Sequence, residues 1–264
     1  MVVPAASLRA TEASPSKAQF GLFQDNALAI AEEHGKRVAP RVYTNASDFG
    51  VATPDWVFAA GARGFIPDDD KEVVQPVPTD PVFREKFGAF LRALGDRYDG
   101  DPAIEFFQTN AGMGTFGEMV WGVPDYNKPE GWTPEVQIET SKYWIDAWRD
   151  AFPNTPLVLM ENYVGFGILD EVAAYAVDRG FYLQANDPQQ PDESIAIMRK
   201  YDGETKIVME IEDAGCRTAL GEAFDQMVDD VFAMGFAIDY LTICEETLEF
   251  EPQRVERAIG MLRR

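Results

Sequence analysis

The stretch PVFREKFGAFLRALGDRYDGDPAIEFFQT, residues 81–109, joins a helical pattern to a strand-like run. Its first part repeats apolar residues every three or four positions, which predicts one helix face made by Phe83, Phe87, Phe90, Leu91, Leu94 and Tyr98. Its last part, AIEFFQT at 103–109, is short and rich in β-formers, which predicts a strand. Alternation of helices and strands is typical of α/β folds with a parallel sheet.

The same alternation extends along nearly the whole chain. The candidate strands are VVPAASLR (2–9), RVAPRVY (37–43), DWVFAAG (55–61), AIEFFQT (103–109), PLVLME (156–161), GFYLQAN (180–186), TKIVMEI (205–211) and YLTICEE (240–246). Helical patterns lie between most of them, and one spans 220–234 with Phe224, Met227, Val231 and Met234 on one face. Eight such units in 264 residues, without a break in composition, predict one (β/α)8 TIM-barrel domain over 1–264, minimal at its N-terminus.

The charge of the chain limits its partners. Its net charge is −22, from 45 acidic and 23 basic residues, so it repels nucleic acids and anionic membrane surfaces. No apolar run is long enough for a membrane helix, and the N-terminus lacks the pattern of a secretory signal. We therefore expect a cytoplasmic protein, or a secreted one if a signal peptide has been removed. An acidic, lysine-poor surface also suggests adaptation to high salt.

Histidine and cysteine are too scarce for several kinds of chemistry. The chain has one histidine, His34, and two cysteines, Cys216 and Cys244, outside any C-x-x-C spacing. Histidine-dependent triads, Cys-His pairs and zinc sites are therefore not expected, and the cysteines are expected to be free thiols. The chemistry must rest mainly on carboxylates, and no cofactor or metal is predicted.

Polar side chains gather at the carboxyl ends of the predicted strands, where barrel enzymes build their active sites. Arg9 and Arg41 end the first two strands and are suited to holding carboxylates ionised or binding substrate oxygens. The acids and amides at the later strand ends are Asn110, Glu118, Glu161, Asn186, Asp187, Glu210, Glu212 and Glu245. Two opposed carboxylates are the machinery of most glycosidases, where one protonates the leaving oxygen and the other attacks the anomeric carbon or activates water.

Aromatic residues add a second indication of carbohydrate binding. Trp121 and Trp132 lie in the long connection 110–133, and Trp56 lies in the weak third strand. A connection of this length without clear secondary structure is usually functional, and tryptophan rings bind the apolar faces of sugars. We predict that these three residues contact substrate. Trp144 and Trp148, four residues apart on a helix, are instead expected in the core.

The segments TPDWVF, DPVFREKFGAFLRALGDRYDGDPAIEFFQTN and VMEIED together resemble clan A glycoside hydrolases, especially the β-galactosidase-like barrels. The resemblance follows the order and spacing of residues 7–250. It implies a retaining mechanism on an oligosaccharide or polysaccharide substrate, with Glu118 as acid/base and Glu210 as nucleophile. One departure is clear: that clan usually has Asn directly before the acid/base Glu, whereas Asn110 is followed here by Ala111 and the next Glu is Glu118. Glu212 shares the strand parity of Glu210 and competes with it for the nucleophile role.

Two alternatives remain open at the level of sequence. A Mg²⁺-dependent barrel enzyme would use Glu161, Asp187 and Glu210 as ligands, although no Lys or His base stands at a strand end. A carbohydrate-binding barrel without catalysis would explain the departure at Ala111. The sugar, the linkage, endo or exo action and the oligomeric state are not determined by these patterns.

Overall fold

The computed structural model describes residues 17–42, 44, 52–67, 73–109, 127–161, 168–186, 192–211, 221–243 and 245–262. Side chains are described from residue 25 onward, except at positions 161, 186, 192, 245 and 246. The helices are α1 (Lys17–Glu33), α2 (Asp55–Ala59), α3 (Pro81–Tyr98), α4 (Pro134–Ala151), α5 (Leu169–Asp178), α6 (Asp192–Tyr201), α7 (Glu222–Phe232), α8 (Glu245–Phe250) and α9 (Pro252–Leu262). The strands are β1 (Gly64–Phe65), β2 (Gln75–Pro76), β3 (Phe107–Thr109), β4 (Leu157–Glu161), β5 (Phe181–Asn186), β6 (Ile207–Ile211) and β7 (Tyr240–Ile243).

Five of these strands form one parallel sheet in the order β3-β4-β5-β6-β7. Sequential order is what right-handed β-α-β connections produce when each helix returns the chain to the same end of the sheet. The extended 38–42 segment adds to the outer edge of β3 through parallel bridges from Val38 to Ile104 and from Arg41 to Gln108. The short strands β1 and β2 pair separately as an antiparallel ribbon.

The sheet is strongly curled. β3 and β7 are its two edges, yet the rings of Phe106 and Tyr240 meet edge to face with centroids 5.1 Å apart. Side chains from opposite edges can touch only if the sheet bends round a concave face. The described strands therefore form a half-barrel, which agrees in part with the predicted eight-stranded barrel; a complete barrel is not established.

Residues on each strand alternate between two apolar layers, as the period of two in a β-strand requires. Odd-numbered residues such as Leu157, Leu159 and Leu183 pack outward against helices that include α3, α4 and α5. The inward-facing side chains of the sheet and of the 38–42 segment form a smaller inner cluster of Ala39, Phe106, Val158, Tyr182, Val208 and Tyr240. The outer cluster also holds Trp144 and Trp148, both fully buried, which confirms that these tryptophans belong to the core.

The predicted third strand, DWVFAAG at 55–61, is wrong, because residues 55–59 form the helix α2. Pro54 and Asp55 start this helix, and the negative charge of Asp55 in the first turn stabilises it by interacting with the positive end of the helix dipole. Only Val57 of its five residues is buried, so no alternating face exists for a strand. The 38–42 segment consequently lies directly beside β3. The predicted first strand, 2–9, lies outside the described residues.

The predicted helix at 81–98 is confirmed as α3, and the one at 220–234 as the slightly shorter α7. Asp80 caps α3 by accepting hydrogen bonds from the backbone N–H groups of Val82 and Phe83. Pro81 occupies the first turn, where its missing N–H costs nothing. Across the described residues, none of the helices is long and apolar enough to cross a membrane.

Candidate active site

The concave face changes from apolar to polar within two residues along most of its strands, and β4 is the exception because Met160 is apolar. Above the inner cluster, toward the carboxyl ends, the next inward positions are Arg41, Gln108, Met160, Gln184, Glu210 and Thr242, which we call the polar layer. Backbone register joins three pairs of neighbours in this layer, Arg41 with Gln108, Met160 with Gln184, and Glu210 with Thr242. On their other sides Gln108 and Gln184 are in register with Val158 and Val208 of the inner cluster. Carboxyl ends of barrel strands are where active sites form, so this layer is the candidate site.

Glu210 is the carboxylate of this layer. It lies on β6, whose five residues are all buried, and it is 9% exposed. Its Oε2 accepts a hydrogen bond from Gln184 Nε2 at 2.5 Å. The sequence IVMEI produces this placement because alternation puts Val208 in the inner cluster and Glu210 one step above it.

Gln184 connects Glu210 to the opposite side of the curl. Its side chain is fully buried on β5, and its Oε1 accepts a hydrogen bond from Gln108 Nε2 at 2.8 Å. Gln108 lies on β3, two strands away, and is 7% exposed. The three side chains are therefore joined by a buried series of hydrogen bonds that runs from Gln108 through Gln184 to Glu210.

Arg41 supplies a cation in the same layer. Its Nε lies 2.9 Å from the sulfur of Met160, and its side chain is half-buried. The backbone at Arg41 is held beside β3 by its bridge to Gln108, together with a hydrogen bond of 2.9 Å from Gln108 N to Pro40 O. This places the second predicted arginine on the concave face, as expected for a substrate-binding role that stays a prediction.

Several predicted site residues lie outside the described part of the chain: Arg9, Asn110, Glu118, Trp121, Asp187 and Glu212. For three others the structure describes the backbone alone. Asn186 ends β5 and pairs in register with Glu210, Glu161 ends β4 and pairs with Ala185, and Glu245 begins α8. Cys216 and Cys244 also lie outside the described residues. The roles predicted for all of these residues stay predictions.

The two described tryptophans of the predicted set occupy different environments. Trp132 is partly buried against the outer core cluster, and its indole N–H donates to Gln137 Oε1 at 3.4 Å beside the start of α4. That contact gives Trp132 a packing role. Trp56 lies on α2 and is 38% exposed, so its ring remains accessible. Stacking of either ring on a sugar stays a prediction.

The opposite, amino-terminal end of the half-barrel carries its own charged network. Glu105 accepts hydrogen bonds from Tyr240 at 2.6 Å and from Arg37 at 2.7 Å. Burial would raise the pKa of Glu105, but the hydrogen bonds from Tyr240 and Arg37 outweigh it and hold that pKa below its usual value. Burial, and then the bond to Glu105, raises the pKa of Tyr240. Polar groups at this end of a barrel serve stability.

Sequence reasoning missed Gln108 and Gln184. Both precede a predicted strand-end amide by two residues, Asn110 and Asn186 respectively, and therefore share its strand parity. That spacing was the available signal, because a buried amide inside an apolar run is costly without a partner. Within the described ranges no group of three His, Cys, Asp or Glu side chains is placed to hold a metal. The Mg²⁺ alternative also needs Glu161 and Asp187, whose side chains are not described, so it stays untested.

No protein-family model matches the chain, and no curated protein matches it in sequence. Solved structures do match the fold. A crystal structure of a glycoside hydrolase shares 12% identity at a TM-score of 0.54, covering 86% of this chain and 70% of its own. The β-1,4-mannanase of the sea hare Aplysia kurodai shares 12% identity at a TM-score of 0.50, covering 93% of this chain and 72% of its own.

A polyextremophilic β-galactosidase from the Antarctic haloarchaeon Halorubrum lacusprofundi also shares 12% identity, at a TM-score of 0.52. The match covers 84% of this chain and 45% of that longer chain. Identities this low show the fold and not the activity. In fold, the described half-barrel is similar to the barrels of clan A glycoside hydrolases.

Proposed function

We propose that this chain is a glycoside hydrolase that cleaves O-glycosidic bonds with two carboxylates. The observation that supports it best is Glu210, a buried carboxylate on the concave face that accepts a hydrogen bond from a fully buried amide. The fold, shared with glycosidases, supports the same class of activity. Glu210 is assigned as the nucleophile, and Glu118, following the resemblance, as the acid/base.

The chemistry assigned to Glu210 follows from its hydrogen bonding. An amide donor holds Oε2 and leaves Oε1 as the oxygen that attacks the anomeric carbon. The carbon–oxygen bond to the leaving group breaks as the ester to Glu210 forms, and Glu118 gives its proton to the departing oxygen. Water then attacks the same carbon, Glu118 takes a proton from it, and Glu210 is released with retained configuration in the product.

The substrate class proposed is an oligosaccharide or polysaccharide. Of the similar structures, one acts on β-1,4-mannan and another is a β-galactosidase, so the fold likeness does not choose the sugar. A second candidate function is a carbohydrate-binding barrel without catalysis. The departure of Asn110-Ala111 from the clan pattern favours it, since the usual position of the acid/base carries alanine.

The test is a panel of 4-nitrophenyl glycosides of galactose, mannose, xylose and glucose. The unchanged chain should hydrolyse at least one, and Glu210→Ala should lose about four orders of magnitude or more in kcat. Azide should restore turnover of Glu210→Ala and yield a glycosyl azide of inverted configuration, visible by NMR. Glu204→Ala, which removes an exposed glutamate from the turn before β6, is the matched control. Undiminished hydrolysis by Glu210→Ala rules out the assignment, whereas sugar binding without any hydrolysis by the unchanged chain favours the binding barrel.

A further inference from the structure

We propose that Gln184 is a positioning residue for Glu210 and that Gln108 holds the Gln184 amide in place. This inference rests on the proposed role of Glu210 as nucleophile. It concerns two residues on strands β3 and β5 that act on a carboxylate on β6 through the hydrogen bonds of 2.8 Å and 2.5 Å.

The direction of these two hydrogen bonds follows from which groups can donate and which can only accept. An ionised carboxylate only accepts hydrogen bonds, so Gln184 must turn its NH₂ group toward Glu210. The carbonyl of Gln184 then faces the other way, and Gln108 donates its NH₂ group to it. An amide can rotate its two ends by half a turn, but in that orientation the Gln184 oxygen would face the carboxylate of Glu210 and its NH₂ group would face the NH₂ group of Gln108. Glu210 therefore selects the orientation of Gln184, and Gln108 holds the carbonyl of Gln184 in that orientation.

Burial makes this orientation matter. Gln184 is fully buried, and Gln108 and Glu210 are 7% and 9% exposed. Water has little access to replace a lost partner, and a buried polar atom without one costs about 1–3 kcal/mol. The residues one step below, Phe106, Tyr182 and Val208, form an apolar cluster. Polar side chains in the layer above this cluster lower the stability of the core, but they are suited to holding a reactive group.

The consequence for Glu210 is a fixed carboxylate plane. With Oε2 held by Gln184, rotation about the last side-chain bond is restricted and Oε1 keeps one position. A nucleophile that is already placed loses less entropy on reaching the transition state, which raises kcat more than it changes substrate affinity. Removal of Gln184 should therefore lower kcat while KM stays nearly constant.

The first experiment needs no substrate. In ¹H–¹⁵N spectra the side-chain NH₂ of Gln184 is assigned by its disappearance in Gln184→Met. Glu210→Gln, which keeps the shape but removes the charge, should move this resonance upfield and speed its exchange with solvent. Gln108→Met should broaden it, because the Gln184 carbonyl then loses the donor that holds it in place. A resonance unchanged by Glu210→Gln would overturn the proposal.

The second experiment is kinetic, on the glycoside that the unchanged chain turns over fastest. Gln184→Met should lower kcat about tenfold or more with KM within about twofold, and Gln108→Met should have a smaller effect in the same direction. Gln226→Met is the matched control, because Gln226 also donates its amide to a carboxylate, Asp230, at 2.8 Å, but on the exposed side of α7. Melting temperatures of all three variants show whether a loss of activity comes from unfolding or from a misplaced Glu210 carboxylate.

Gln184→Glu distinguishes positioning from packing. The introduced carboxyl can donate to Glu210 only while it carries a proton, so activity should survive at acidic pH and fall toward neutral pH. A residue that merely fills space would show no such shift in its pH profile. A profile for Gln184→Glu that matches the unchanged chain would contradict the proposal.

The outcomes separate this inference from the proposed function. If Glu210→Ala hydrolyses glycosides as well as the unchanged chain, the nucleophile assignment fails and the positioning role fails with it, whatever hydrogen bond the spectra show. If Glu210→Ala is inactive and rescued by azide while Gln184→Met behaves like Gln226→Met, only the positioning inference fails.

Discussion

The Tyr240 hydroxyl donates a hydrogen bond of 2.6 Å to Glu105 Oε1, although the two residues are 135 positions apart and belong to opposite edges of the sheet. Tyr240 begins β7, and Glu105 lies two residues before β3. Arg37 reaches the second carboxylate oxygen, Oε2, from the strand segment next to β3. One carboxylate thus links the two edges of the half-barrel at its amino-terminal end, on the side away from the polar layer.

Tyr240→Phe should destabilise the chain by about 1–2 kcal/mol, because it removes this hydrogen bond and the one that the hydroxyl accepts from Lys206 at 3.1 Å, while keeping the ring that contacts Phe106. Urea unfolding at pH 7 measures the change. Tyr143→Phe, which alters a hydroxyl on an exposed ring of α4, is the control. Equal unfolding midpoints for the two variants would show that the contact between Tyr240 and Glu105 does not hold the curl.

Glu105 should make stability depend on acid pH. Burial opposes its ionisation, but the hydrogen bonds from Tyr240 and Arg37 prevail and lower its pKa in the folded chain from 4.5. Its stabilising contribution is therefore complete above the unfolded value and is lost as pH falls below it through the folded pKa. Glu105→Gln should cost stability at pH 7 and much less near pH 3, as measured by urea unfolding at both values. A cost that is the same at both pH values would contradict this assignment.

Gly95→Ala should be strongly destabilising, by about 1–3 kcal/mol or more. A Cβ at Gly95 of α3 would overlap the backbone carbonyl of Ala151 at the end of α4, and backbone cannot move aside cheaply. Gly260→Ala makes the same change within α9, where a Cβ meets nothing within 4 Å. That control should be neutral or stabilising by up to about 1 kcal/mol. Thermal unfolding of both variants measures the difference in stability. Similar melting temperatures would argue against close contact of α3 and α4.

The melting temperature should rise as KCl is increased to molar concentrations. Several basic residues on the described surface form ion pairs between helices, as in Asp25–Arg97, Lys142–Glu171 and Arg257–Asp229. Exposed pairs of this kind contribute about 0–1 kcal/mol each, so screening them costs little. The 22 surplus negative charges repel one another, and screening relieves that repulsion. A flat or falling melting temperature would contradict adaptation to salt.

Glu118→Ala should affect substrates according to their leaving groups. A dinitrophenyl glycoside needs little protonation, so the first chemical step should survive on it, while hydrolysis of a natural glycoside should fall by about two orders of magnitude or more. Azide should restore turnover and give a glycosyl azide of retained configuration, the opposite of the product from Glu210→Ala. If Glu118→Ala still cleaves a natural glycoside at the full rate, the acid/base lies elsewhere, and Glu161 and Glu212 are the next residues to replace.

Local patterns in the sequence were enough for much of the architecture. The apolar repeat of 81–98 predicted α3 with its observed ends, and the short β-rich runs predicted the strands that contain Leu157, Leu183 and Glu210. The same patterns placed Trp144 and Trp148 in the core. Periodicity succeeds here because it reports which side of a helix or strand is buried, a property of neighbouring residues alone.

Only the tertiary structure decided how those elements meet. The run DWVFAAG has strand-like residues, yet it became α2 because Pro54 and Asp55 start a helix and β3 already pairs with the 38–42 segment. Gln108 and Gln184 come together across β4 because the sheet curls, and the curl depends on contacts such as Phe106 with Tyr240 between its edges. Sequence spacing marked Glu210 as a candidate because it lies at the end of a predicted strand, but it carries neither register nor curvature. Those two are set by side chains packed from distant parts of the chain, and they determined which amide reaches the carboxylate.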